Sequence, residues 1–250
     1  MNFIDAHQLV MFIAAGWLLN LTPGPDVLYI VTNALKSGTR AGIVAGLGIT
    51  AGCFVHILAA AVGVGALLAA SATAFTVLKW IGAAYLMWMG VRMLLSKPGA
   101  GNGNTAALAA AQAAPAQPTP LSKVFLGGFW TNVLNPKVAI FFLAFVPQFI
   151  APGADHKALA FVLLGVLFNL NAIPVNVGWA LAASWMARRA GVMARRRAAP
   201  KAGQPTRGAA STRSDERGGL VPGMHWLDRV AGAMFIGFGL KLAFTDQPSA

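Results

Sequence analysis

The chain has 250 residues, of which 57% are hydrophobic and only 10% charged, with a mean hydropathy of +0.64 and a formal net charge of +12. A soluble domain carries about 25% charged residues, so this composition excludes an ordinary soluble globular protein and points to an integral membrane protein. The positive excess does not indicate a nucleic-acid partner, because it is clustered between apolar runs, where membrane orientation requires it.

The first apolar run covers about 8–33 and is interrupted at Pro23-Gly24-Pro25. The start, "MNFIDAHQLV", has no basic n-region and places Asp5 before the run, so no cleavable signal peptide is expected and the first helix should stay. The second run, about 42–69, is rich in Gly and Ala and contains Cys53, the one cysteine of the chain. One thiol cannot form an internal disulfide or a dithiol relay and argues against a thiolate metal site, so Cys53 reads as a packing residue. The third run is about 74–95. Residues 96–121 are rich in Ala, Pro and Gly and read as a flexible linker. The fourth run, about 122–150, is interrupted at Asn135-Pro136, and the fifth is about 157–187. Residues 188–225 are strongly basic with almost no apolar content and read as a flexible loop. The sixth run is about 227–245. Each run approaches the roughly 20 residues that span a bilayer. The expectation is one all-α transmembrane domain over 1–250 with six spans, its first repeat 1–95 and its second 122–250.

Orientation follows from Lys and Arg near the span ends. Lys36 and Arg40 lie between spans one and two. Arg92, Lys97 and Lys123 lie between three and four, and nine basic residues from Arg188 to Arg217 between five and six. The loop "ASATA" has none, and the loop between spans four and five has only Lys157 beside Asp155. The basic segments are therefore assigned to the cytoplasm and both termini to the outside. The 188–217 charges would also meet anionic lipid headgroups.

The chain repeats itself weakly. Spans one and two read as an apolar run, a proline break, an apolar run, a short loop and a Gly-rich span, and spans four and five read the same way. Aligning Pro25 with Pro136 sets Asp26 opposite Lys137. With three spans in each half, the second half is inserted upside down. Inverted repeats with a broken helix in each are a pattern of secondary transporters.

At "LTPGPDVLYIVTNALKSGTRAGIVAGLGITAG" (21–52), "LKWIGAAYLMWMGVRML" (78–94), "FWTNVLNPKVAIFFLAFVPQF" (129–149) and "RVAGAMFIGFGLKLA" (229–243), the chain resembles the LysE/RhtB family of amino-acid exporters. Pro-Gly-Pro followed by a basic loop and a Gly-rich span, and Asn-Pro-Lys followed by an aromatic run and Pro-Gln-Phe, are the most specific signals. The resemblance implies export of an amino acid or close derivative across a bacterial cytoplasmic membrane, driven by the proton gradient. It implies a transporter rather than an enzyme, without a cofactor. The 188–225 segment is longer and more basic than the family pattern.

Backbone groups freed inside a bilayer must find partners, so a break is tolerated only against protein or a cavity. Pro25 and Pro136 suit the first turn of a new half-helix, with Thr22 and Asn135 as caps. Each break then exposes a half-helix amino terminus whose partial positive charge attracts a carboxylate. Asp26 lies ten residues before Lys36, roughly 15 Å of helix, and Lys137 fourteen after Lys123, roughly 21 Å, near the middle of a core about 30 Å thick. An ionisable residue at that depth is a functional hypothesis by default. Asp26 and Lys137 are expected to approach and form an ion pair that a zwitterionic substrate opens, Asp26 meeting the ammonium or carrying the coupling proton, Lys137 and the helix ends meeting the carboxylate. A permanent structural ion pair is the alternative.

The candidate pathway is therefore Thr22, Pro23, Gly24, Pro25, Asp26, His56, Asn132, Asn135, Pro136, Lys137 and Gln148. His56 reads as a helix–helix hydrogen bond or a proton relay. Asn132 either lines the cavity or satisfies freed carbonyls, and Gln148 is a gate or a cap. Asn169 and Asn176, two turns apart, can share a face, which Asn171 cannot join. Gly42, Gly46, Gly48 and Gly52 are close-packing positions. A cation exporter would need clustered Asp, Glu, His or thiol ligands at the midplane, where only Asp26 and His56 are available, so no metal site is expected. No Ser-His-Asp, HExxH or CxxC pattern suggests an enzyme. A homodimer is left open.

Overall fold

The computed structural model describes residues 6–70, 72–95, 119–150, 156–198 and 225–244, and every regular element among them is a helix. The first run is split into α1 (Ala6–Leu21) and α2 (Pro25–Ser37). α3 (Thr39–Ala70) and α4 (Ala72–Leu94) follow. The fourth run is split into α5 (Leu121–Val133) and α6 (Pro136–Ile140). It continues through a π-helical turn at Phe141–Phe145 and a 3-10 turn at Val146–Phe149. α7 (Lys157–Ala198) and α8 (His225–Phe244) complete the order. The linker expected at 96–121 lies outside the described residues up to 118. α7 runs on to Ala198 rather than ending near 187, so the first part of the basic segment is helical; residues 199–224 lie outside the described residues.

Among the described residues, α3 and α7 are each long and apolar enough to cross a membrane, over Thr39–Gly63 and Lys157–Arg189. The pair Leu121–Val133 and Pro136–Phe149 passes the same test together and bends by 48° at its break. α1 and α8 contain shorter apolar stretches, Gln8–Leu21 and Gly232–Lys241.

α3 is the hub and packs on α2, α5 and α7; α1 packs on α7, and α4 on α8. In lipid there is little hydrophobic drive between helices, so close backbone approach must hold them together. Glycine provides it at α3–α5. A Cβ on Gly48 would collide with the Phe125 carbonyl oxygen, one on Gly52 would sit 2.5 Å from the Phe129 carbonyl oxygen, and one on Gly128 2.5 Å from that of Ala45. The α4–α8 crossing is reciprocal, with Gly90 and Gly232 each facing the other's carbonyl oxygen. Gly42 and Gly46, expected as packing positions, lie against Ala34 and Ala180 and against Asn176.

Two cores result. One is aromatic and draws Phe12 from α1, Phe141, Phe142, Phe145 and Phe149 from beyond the second break, and Phe168 from α7. Phe141 and Phe168 meet with centroids 4.9 Å apart and their rings tilted by 37°. The other is aliphatic and small, with Val27, Ile30, Val31 and Ala34 of α2 against Ala45, Ile49, Val124 and Ala180. The breaks separate them in sequence. α1 and the residues after Pro136 feed the aromatic core, whereas α2 and α5 feed the aliphatic one.

Candidate functional site

Each proline removes one backbone N–H and so frees the carbonyl four residues earlier. Pro23 frees Leu19, and Pro136 frees Asn132. Both carbonyls are answered from across the molecule. Lys137 Nζ donates to the Leu19 oxygen at 3.0 Å and to the Thr22 oxygen at 3.2 Å. His56 Nε2 lies 2.9 Å from the Asn132 oxygen, which also accepts from the Asn135 backbone N–H at 2.9 Å. A cation at the carboxyl end of α1 also suits the helix dipole. Gly24 makes room for it, since a Cβ there would lie 3.2 Å from Lys137 Nζ.

The caps differ from expectation at one break. Asn135 does cap α6, its side-chain oxygen accepting from the Lys137 backbone N–H at 3.1 Å, with Pro136 in the first turn. Thr22 does not cap α2. Its hydroxyl turns back and donates to the Leu18 carbonyl at 2.6 Å, and the capping position is Gly24, which has no side chain to offer. The physical reason is spacing: Gly24 immediately precedes Pro25, leaving Thr22 as the end of α1. Of the two half-helices that follow a break, α6 therefore has a side-chain cap and α2 has none, whereas both were expected to be capped.

Asp26 sits in the first turn of α2. Its Oδ2 accepts from Asn132 Nδ2 at 2.9 Å, and its Oδ1 is buried without a hydrogen-bond partner. The expected direct ion pair with Lys137 is not formed: the ammonium is spent on the α1 carbonyls. Both residues nevertheless line one cavity, together with Leu19, Asn20, Val27, Ile49, Thr50, Cys53, Asn132, Val138, Phe168, Asn169, Ala172 and Asn176. Members of both cores are among them, so the cavity lies where the cores meet. It measures about 410 Å³ counting its open mouth, but is narrow inside, with room for a water or two.

Its wall carries unspent hydrogen-bonding atoms. Besides Asp26 Oδ1, the acceptors Asn132 Oδ1 and Asn169 Oδ1 and the donor Asn176 Nδ2 are buried without partners. Buried polar atoms are almost always satisfied by protein or by ordered water, so these atoms are left to bond whatever fills the cavity. Asn169 is held in place by donating from Nδ2 to the Thr50 carbonyl at 3.2 Å. Asn171 points elsewhere and accepts from Trp17 Nε1 at 3.3 Å. Asn20 and Thr50 also belong to the lining and were not foreseen. Each donates to its own helix one turn back, Asn20 to Gly16 and Thr50 to Gly46, and nothing in sequence distinguishes such residues from ordinary helix polar groups. Gln148 lies in the 3-10 turn and does not line the cavity. Among the described residues, no group of three or more His, Cys, Asp or Glu side chains is placed to hold a metal ion.

The model of the family described as LysE type translocator matches residues 17–202, which include both breaks and every residue lining the cavity. The chain belongs to this family. The translocator is also similar to individual proteins. It is 34% identical over 184 residues to an uncharacterized membrane protein of Vibrio cholerae, covering 70% of this chain and 84% of that one. It is 31% identical over 176 residues to a homoserine/homoserine lactone efflux protein of Salmonella typhimurium, covering 70% and 80%. It is 28% identical over 159 residues to a leucine efflux protein of an Enterobacter species, covering 64% and 71%. No solved structure matches the translocator's sequence. It is a membrane transport protein, not an enzyme.

Proposed function

We propose that this translocator exports a zwitterionic α-amino acid or a close derivative across the bacterial cytoplasmic membrane, and that the cavity between the breaks is its binding site. The observation that carries this reading is the set of unspent buried atoms. Asp26 Oδ1, Asn132 Oδ1 and Asn169 Oδ1 are three acceptors, and an ammonium has three donors. The substrate ammonium takes them. Its carboxylate takes Asn176 Nδ2, close to the uncapped amino terminus of α2 and the charge of Lys137. The efflux relatives, named for homoserine and leucine, share this zwitterionic head. The alternative of a cation exporter has no comparable support.

The architecture behind this proposal is six spans in two inverted three-helix repeats, α1–α4 and α5–α8. The contact pattern supports it, because α3–α7 and α4–α8 are pairs that such a two-fold maps onto themselves, and α1–α7 is the counterpart of α5–α3. With the basic ends in the cytoplasm, both termini face outward, and the aromatic core is the outer gate. Since the closed cavity is too narrow for an amino acid, the repeats must rock to open it. The coupling ion is a proton, carried by Asp26.

The test is efflux of labelled amino acids from preloaded cells, with membrane insertion measured in parallel. Asp26→Asn is expected to lose at least about tenfold in rate, the value of one charge-assisted hydrogen bond of about 1.4 kcal/mol. Asn169→Leu should show a smaller loss, and an uncoupler should stop efflux. Wild-type rates from both variants would sink the site assignment.

A further inference from the structure

At the end of α1 two main-chain carbonyls hold a buried ammonium. The Leu19 carbonyl has lost its helical donor to Pro23, and the Thr22 carbonyl lies just past the last turn. Both converge on one atom, Lys137 Nζ, at 3.0 Å and 3.2 Å. The ammonium is buried: Lys137 is only 9% exposed. Asp26 lines the same cavity and offsets its charge without touching it. In transporters built on broken helices, unwound carbonyls and the carboxyl ends of half-helices are the groups that coordinate a coupling cation. Here the same groups hold a cation covalently attached to the chain.

We propose that Lys137 Nζ is a tethered occupant of a monovalent-cation site at the first break, placed where a free alkali cation would otherwise bind. The tether reaches across 118 residues of chain, from the second break to the first, so the bound cation and the cross-link between the breaks are one side chain. Two consequences follow. The protein needs no sodium, because the site is filled permanently. And removing the side chain does not abolish the site but vacates it, leaving two carbonyl oxygens, an Asp26 carboxylate nearby and the space Gly24 keeps open. An ammonium is close to potassium in size, so the vacated site should take potassium, sodium or methylammonium, and should reject choline. The carboxylate role expected for Lys137 from sequence is thereby reduced to that of a nearby charge.

The proposal rests on the geometry of the break, and its test does not require the amino-acid reading to be right. Thermal unfolding of the purified full-length protein in detergent is measured at constant ionic strength in choline, sodium, potassium or methylammonium chloride. Wild-type Tm is expected to be the same in all four. Lys137→Ala is expected to lose several degrees in choline and to regain at least half of that loss in one of the small cations. Lys137→Gln, which keeps the first two carbons of the stem and loses the charge, should behave likewise. If the variants fold only when purified with a small cation, the proposal is equally supported. Variants whose Tm or recovery ignores every small cation would overturn it, as would a wild-type Tm that depends on sodium. Transport by the wild-type protein reconstituted into liposomes distinguishes the readings: cation-rescued stability of the variants with no amino-acid transport by the wild type removes the proposed function and leaves the site.

Discussion

His56→Ala removes the only side chain, among the described residues, that reaches the carbonyl freed by Pro136. The Asn132 oxygen keeps its bond from the Asn135 N–H at 2.9 Å, so it is weakened rather than orphaned. Stranding a buried acceptor entirely costs about 1–3 kcal/mol, while interhelical hydrogen bonds in membrane proteins average about 0.6 kcal/mol. One remaining donor places the expected loss near 1 kcal/mol. What separates this explanation from simple loss of packing is its dependence on the proline. Pro136→Ala restores an N–H four residues after Asn132, and the carbonyl can then be satisfied within its own helix. In that background His56→Ala should cost much less, giving a coupling of about 0.5–1 kcal/mol, well within the range for groups sharing a partner. Reversible unfolding in mixed micelles, run on the wild type, both single variants and the double variant, measures it. Equal costs of His56→Ala in both backgrounds would refute the idea that His56 is there for the broken carbonyl.

Three other changes should be informative. Gly48→Ala drives a methyl into the Phe125 carbonyl, so α3 and α5 must separate; overpacking costs about 1–3 kcal/mol, readable as a lower Tm in detergent. Gly24→Ala sets a methyl 3.2 Å from Lys137 Nζ, at the far end of a flexible side chain. It should insert normally and lose efflux only severalfold, whereas Gly24→Val should lose it almost wholly. Cys53 is the one thiol and lines the cavity, so maleimide labelling in membrane vesicles reports opening. A transported amino acid should protect it, and indifference of the labelling rate to every transported substrate would exclude this cavity as the path.

The six apolar runs and both breaks were legible because hydropathy and proline are local signals, and each run is matched by helices with similar bounds, except that α7 continues past the fifth run to Ala198. Asn135 was legible as a cap for the same reason, since Asn-Pro carries cap and first turn together. Thr22 was misread because the cap position is fixed by where α2 starts, and Gly24 rather than Thr22 precedes Pro25. Lys137 was misread more instructively. Charges were matched to charges, Asp26 to Lys137, while the strongest partner available to the ammonium was the pair of main-chain oxygens that Pro23 left behind. Those oxygens have no letter in the sequence. Asn20 and Thr50 stayed hidden because their back-bonds to Gly16 and Gly46 are compatible with any face of a helix, and only tertiary packing turns them toward the cavity.

The crossed support of the two breaks also bears on how the protein is made. Leu19 waits for a side chain 118 residues later, and His56 waits for a carbonyl 76 residues later. At about 5–20 residues per second of synthesis, the first break remains without its lysine for on the order of ten seconds. During that interval the nascent amino-terminal half has an open wound at its centre. A chain released before residue 137 should therefore be a substrate for quality-control proteases rather than a stable half-transporter.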